Sequence, residues 1–222
     1  MKEIAQLLVA HDIVKTNFKE PYTWTSGIKS PIYCDCRELT GLVEARATVV
    51  SHMIEKIKEL GLMPDAVAGT ATAGISWASW VAGIMNVPMG YVRGKPKGHG
   101  AGKMVEGLGK KLGSKPNIVV VEDAFSTGGS SIKSAEALRS ELNAEVTHVF
   151  GIFSWDTPAF FQNSRSAGLE MISFTNFSEI TEALLEAGKI SPTQKTSLEK
   201  FHQDPPNWFQ SENEESSDQQ LF

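Results

Sequence analysis

Residues Val119–Ser131 read VVVEDAFSTGGSS and join two chemistries that ordinarily repel each other. Glu122 and Asp123 are acids suited to accept hydrogen bonds from vicinal hydroxyls. The run that follows, Phe125-Ser-Thr-Gly-Gly-Ser130, supplies hydroxyls from Ser126, Thr127 and Ser130. Its Gly128 and Gly129 let backbone amides approach an anion closely at the start of a helix. A phosphate alone would be pushed off by the two acids. A ribose 5-phosphate satisfies both halves, with its diol on the carboxylates and its phosphate in the loop. The same residue types can also make a ligand-free strand-to-helix turn, so the motif gains weight only in company.

Two other segments keep it company. Tyr91–Gly107, YVRGKPKGHGAGKMVEG, interleaves Arg93, Lys95, Lys97, His99 and Lys103 with glycines. Standard nucleotide motifs do not fit it: Lys103 lacks the Ser/Thr of a P-loop, and the glycine spacing misses the dinucleotide pattern. Alone it reads as solvated surface. Beside an anion cradle it reads as a mobile cationic lid over a polyphosphate. Gly69-Thr-Ala-Thr-Ala-Gly74, with Thr70 and Thr72, either faces a second phosphate or lets a helix pack tightly on a strand. Lys29, in Ser-Gly-Ile-Lys-Ser-Pro, occupies a turn.

These residues need elements to position them. Ile4, Leu7, Leu8 and His11 recur at helical spacing, and Pro31–Cys36 suits a strand. From Leu42, the residues Val49, Val50, Met53, Ile54 and Ile57 line one helix face, with Gly61 as the C-terminal stop. The period then alternates. Strands are expected at Asp65–Gly69, Pro88–Val92, Asn117–Val121 and Glu145–Phe153, with a short fifth at Met171–Phe174. Helices are expected at Gly74–Met85 and across Ile132, Ala135, Leu138 and Leu142. Such alternation predicts an α/β fold on a mainly parallel sheet, where ligands sit beyond the carboxyl ends of strands. Glu122 and Asp123 follow one such end.

Composition bounds the rest. At 222 residues, with 41% hydrophobic and 21% charged residues, the chain suits one globular domain. A net charge of -5 gives no footprint for nucleic acid, and no run is long and apolar enough to span a membrane. Cys34 and Cys36 cannot build a disulfide framework, so a reducing cytoplasm is the expected compartment. The acidic, polar stretch 204–222 is expected to be a flexible tail, leaving 1–203 as the domain.

Taken together, VVVEDAFSTGGSS, WTSGIKSPIYCDCR, AGTATAGISWASWVA and the Tyr91–Gly107 segment resemble the orotate phosphoribosyltransferases, within the type I phosphoribosyltransferases. The likeness runs in order from Trp24 to Trp155. It implies a central sheet flanked by helices, a small hood over about residues 1–40 and a lid loop. It also implies transfer of ribose 5-phosphate from phosphoribosyl diphosphate to orotate, giving orotidine 5′-phosphate and diphosphate. By position, Glu122 and Asp123 would hold the ribose, and Ala124, Phe125 and Ser126–Ser130 the 5-phosphate. Thr70 and Thr72 would lie near the diphosphate, while Ser126, Lys29 and Tyr33 would line the base pocket. Arg93, Lys97 and His99 would reach the neighbouring subunit's diphosphate as catalytic cations of a homodimer. Mg²⁺ would be held mainly by substrate oxygens.

The chain departs from the family pattern in places. Gly94 stands where some members carry a second lysine, and Thr72-Ala73 where some carry Tyr-Lys. No arginine follows the strand ending at Phe153 until Arg165. The orotate carboxylate is therefore assigned to Lys29 or the amides of Ile28–Ser30. The rival readings are a phosphoribosyltransferase for another base and a non-catalytic sensor of phosphoribosyl diphosphate.

Overall fold

A computed structural model of the chain describes residues 2–24, 27–96, 102–109 and 112–211. It divides into two compact units, Cys36–Asn176 and a second made of Met1–Asp35 with Phe177–Phe222. The N-terminal stretch ends its unit at Asp35 and shares it with the C-terminal helices.

The N-terminal part carries α1 (Lys2–Ala10), β1 (Val14–Thr16), β2 (Tyr22–Thr23), β3 (Lys29–Ser30) and β4 (Ile32–Cys34). β1 pairs with β4 and β2 with β3, both antiparallel. The expected strand at Pro31–Cys36 is thus shorter than its apolar pattern.

The larger unit runs through α2 (Val43–Glu59), β5 (Ala66–Thr70), α3 (Gly74–Met85), β6 (Met89–Val92), β7 (Val105–Glu106), β8 (Ile118–Val121), β9 (Ala124–Phe125), α4 (Gly129–Leu142), β10 (His148–Ser154), α5 (Pro158–Ser166) and β11 (Glu170–Asn176). Its sheet has the order β11-β10-β8-β5-β6-β7, with β9 added beside β10. Every pairing is parallel except the last, β6 with β7. β5 and β8 are buried along their whole length, as strands covered on both faces must be. Ala66, Ala68, Ile118 and Val120 pack in one core with Ala135 and Leu138 of α4.

The expected parallel α/β sheet forms, with adjustments at its margin. β10 starts at His148, because Arg139 Nη2 takes the Val146 carbonyl at 2.6 Å; upstream there is one bridge, Asn117 to Glu145. The short fifth strand is seven residues long, Glu170–Asn176. α5 was not foreseen, though Thr157 caps it and Pro158 opens it. Gly61 sits at φ +66, as its stop position requires.

The second unit closes with α6 (Phe177–Glu186) and α7 (Pro192–Gln203). α1 is tied to the segment around α6 by Lys2–Glu186 at 2.7 Å and by Lys189 Nζ, which donates to the Val9 carbonyl at 2.6 Å. α7 opens with a reciprocal capping box between Ser191 and Gln194. The stretch expected as a solvated tail from Asp204 is packed at its beginning. Trp208 is 2% exposed and donates its indole N–H to Ser197 Oγ at 3.0 Å. Residues 212–222 lie outside the described chain.

The sheet's centre is held at van der Waals contact by two glycines. A Cβ on Gly69 would stand 2.6 Å from the Gly74 carbonyl oxygen, and one on Gly74 would stand 2.4 Å from that of Val121. Of the two readings left open for the Gly69–Gly74 turn, tight packing accounts for both glycines. Neither obstacle is a flexible side chain, so backbone must move. Gly74→Ala should therefore cost at least the ~1–3 kcal/mol typical of overpacking. A urea unfolding midpoint equal to that of the wild type would contradict this packing.

Candidate active site

Register brings the candidate residues of the larger unit to one edge of the sheet. Gly69 pairs with Val121 and Thr70 with Val92, so Thr70, Arg93 and Glu122 emerge side by side at the carboxyl ends of β5, β6 and β8. This is where an open α/β sheet keeps its ligands.

The two acids are not equivalent. Glu122 is 5% exposed and turned inward. One of its oxygens accepts the Asp123 N–H at 3.1 Å, and the other accepts the Ser130 and Ser131 hydroxyls at 3.0 and 3.5 Å. Burial, reinforced by the neighbouring Asp123 charge, pushes the Glu122 carboxyl from 4.5 up to about 8. Asp123 is half-buried, and it is the acid open to a sugar.

Beyond them lies the loop. Ala124 is half-buried, while Phe125 is core: 1% exposed, and stacked on Phe160 with ring centres 5.4 Å apart. Phe125 can thus offer a ligand only its backbone. Ser126, Thr127 and Ser130 are exposed. Gly128, at φ +77, is the N-cap of α4 and no side chain caps that end. The amides of its first turn have no intrahelical partner and carry the positive end of the helix dipole. An uncapped helix start behind hydroxyl-bearing residues is chemically an anion site.

At β5, Thr70 is 4% exposed, and its hydroxyl has no hydrogen-bond partner among the described residues. Ala71 and Thr72 are joined by a cis peptide, and Thr72 is exposed. Arg93 leaves β6 with its guanidinium 3.7 Å from Glu106 Oε1 and donating to the Lys95 carbonyl at 3.4 Å. Lys97 and His99 lie outside the described residues. Glu141 of α4, which the sequence reading missed, grips the returning stem of this loop by accepting the Met104 and Val105 amides at 2.8 and 3.3 Å. Its charge on an ordinary helix face gave no signal.

Lys29 and Tyr33 belong to the other unit. Lys29 is exposed on β3 and donates to Thr23 Oγ1 at 2.7 Å. Tyr33, on β4, lies 5.6 Å from the Tyr22 ring and 3.5 Å from Asp35 Oδ2.

The chain is 41% identical over 207 residues to the orotate phosphoribosyltransferase of Listeria monocytogenes serotype 4b (strain F2365), an alignment covering 93% of this chain and 97% of that one. It belongs to the orotate phosphoribosyltransferase family. The Bacillus cereus (strain ATCC 10987 / NRS 248) member is 41% identical over 206 residues, with 93% and 96% covered. The phosphoribosyl transferase domain family matches residues 42–151. Among solved structures, orotate phosphoribosyltransferase from Aeropyrum pernix superposes with a TM-score of 0.71 at 28% identity, covering 85% of this chain and 99% of that one. The sheet described above is thus the type I phosphoribosyltransferase fold, and the β8–α4 corner lies within the matched domain.

The buried Glu122 gives the ligand-free protein a pH signature. Its value is raised on folding, so its contribution to stability is complete below 4.5 and is lost as pH rises through about 8. Thermal melts should show stability falling across that window, by at most about 1.4 kcal/mol per pH unit. Glu122→Gln, which keeps the shape and removes the ionisation, should flatten this component. A constant difference in melting temperature between wild type and variant from pH 5 to 8 would exclude the assignment.

Proposed function

We propose that this protein is an orotate phosphoribosyltransferase: it transfers ribose 5-phosphate from phosphoribosyl diphosphate to orotate in pyrimidine nucleotide synthesis. One observation carries the reading. A single strand-to-helix corner offers a half-buried carboxylate, Asp123, and an uncapped row of amides, which fit the two ends of one sugar phosphate.

In the reaction a ring nitrogen of orotate gives up its proton and forms a bond to the anomeric carbon as the bond from that carbon to diphosphate breaks. The electron pair departs with the diphosphate, and the sugar passes through a cationic, oxocarbenium-like state. Asp123 holds the ribose hydroxyls; Glu122 fixes the corner that presents them. Ser126–Ser130 bind the 5-phosphate and so anchor the sugar while its other end reacts. Thr70, whose buried hydroxyl lacks a partner among the described residues, and Thr72 face the diphosphate. Ser126 is the larger unit's candidate for contact with the base, and Lys29 or the amides of Ile28–Ser30 are the candidates for the orotate carboxylate.

Arg93, Lys97 and His99 neutralise the leaving diphosphate as the lid closes and excludes water. Their work falls in a neighbouring subunit's site, so the active form is a homodimer. In support, α3 contains no charged residue, yet Ile84 on it is 68% exposed. Mg²⁺ fits this donor set as a substrate-borne ion: held mainly by substrate oxygens, it would neutralise diphosphate charge. Among the described residues no cluster of three or more His, Cys, Asp or Glu side chains could cage it. No helix among them is long and apolar enough to cross a membrane, and two reduced cysteines, Cys34 and Cys36, suit a reducing cytoplasm. Residues 1–203 form the catalytic chain, with the acidic remainder outside the chemistry.

Mixing the protein with orotate, phosphoribosyl diphosphate and Mg²⁺ should consume orotate, followed by loss of its absorbance. Hypoxanthine, adenine and uracil should remain; equal turnover of a purine would overturn the assignment. Lys97→Ala should lower kcat about 100-fold, on the scale of removing one transition-state charge partner, with much less effect on sugar-phosphate binding. Unchanged turnover would remove Lys97 from the lid's role.

A further inference from the structure

An amide can face an anion only if its peptide plane is turned the right way. In a trans peptide the C=O of one residue and the N–H of the next point in opposite directions. Fixing a carbonyl therefore aims the following amide. Along the corner after β8, four carbonyls are taken by donors from the stretch that runs from β10 into α5. The Asp123 carbonyl accepts the Ile152 N–H at 2.9 Å, and that of Phe125 accepts the Trp155 N–H at 2.9 Å. Both of these are backbone contacts at the strand pairing.

Beyond β9 the backbone ladder stops and side chains continue it. The Ser126 carbonyl accepts the Thr157 hydroxyl at 2.9 Å, and the Thr127 carbonyl accepts from Asn163 Nδ2 at 3.0 Å. Asn163 lies on α5, and Thr157 is its N-cap, accepting the Phe160 N–H at 3.1 Å. The stack of Phe125 on Phe160 keeps α5 against the loop. A Cβ on Gly128 would lie 3.1 Å from the Met171 side chain, so the loop's back is packed as well.

We propose that Thr157 and Asn163 are positioning residues that aim the phosphate loop: by holding the Ser126 and Thr127 carbonyls to the rear, they turn the Thr127 and Gly128 amides forward onto the sugar's 5-phosphate. The inference rests on the loop's assignment to that phosphate. It gives α5 a role in substrate binding although neither side chain touches the ligand. Without the two donors, the planes between β9 and α4 can rotate, and a carbonyl dipole can replace an amide in front of the phosphate.

The test is calorimetric binding of ribose 5-phosphate to the full-length protein, together with steady-state KM values. Asn163→Ala is decisive, because alanine favours the helix that carries it and only the brace is lost. Wild type should bind. Asn163→Ala and Thr157→Val should each weaken ribose 5-phosphate ~3- to 10-fold, the worth of one hydrogen bond. KM for phosphoribosyl diphosphate should rise to match, while KM for orotate stays put. Thr157→Ser, which restores the hydroxyl, should recover wild-type binding. Wild-type affinity in Asn163→Ala would overturn the proposal, as would equal losses in both KM values, which mark general loosening. Thr157→Ser as weak as Thr157→Val would likewise count against it. If wild type itself fails to bind ribose 5-phosphate, the site assignment falls, and this inference with it.

Discussion

A carboxyl group shut away from water must be given donors, and that requirement joins the sheet of this protein to the helix behind it. Glu122 ends β8, and its partners are the next backbone amide and two hydroxyls from the first turn of α4. The strand end and the helix start are therefore held at one distance, and the intervening loop has little freedom left. The Val121 carbonyl, pressed against Gly74, blocks movement from the other side. What looks in the sequence like two acids crowding a phosphate is a division of labour: one acid is buried and shapes the corner, and the other stays half-buried at its mouth.

That division could not be read from the letters. Glu122 and Asp123 are adjacent, and which of them turns inward is decided by neighbours eight and nine residues away. Much else was legible. β5 and β8 are runs buried on both faces, where apolar composition alone suffices, and the strand–helix alternation gave the parallel sheet. α3 ran from Gly74 to Met85 as the sequence proposed, because a close-packed glycine opens it and Asn86, at φ +55, closes it. The motif residues from Glu122 to Ser130 stood where strand ends place ligands.

The misses have physical causes. α5 and α7 lack a strong apolar stripe, and their announcements, Thr157-Pro158 and Ser191-Pro192-Thr-Gln194, are capping chemistry rather than periodicity. Trp208 is a single anchor in a polar stretch, so composition counted it as solvated while packing did not. Phe125 lies inside the binding motif yet belongs to the core, since a strand that ends in a site still needs one face buried. Glu141 and Asn163 act through backbone amides and carbonyls of distant segments, contacts for which one sequence carries no mark.

The cationic loop leaves the sheet at Val92 and rejoins it at Val105, and these two residues are paired across the one antiparallel junction that the larger unit's sheet has among the described residues. Twelve residues, Arg93–Met104, thus span a gap one strand wide. Doubled back on itself, a chain of that length extends about 20 Å at ~3.4 Å per residue. A substitution that loosened the Val92–Val105 pairing would thus untether both ends of that span at once.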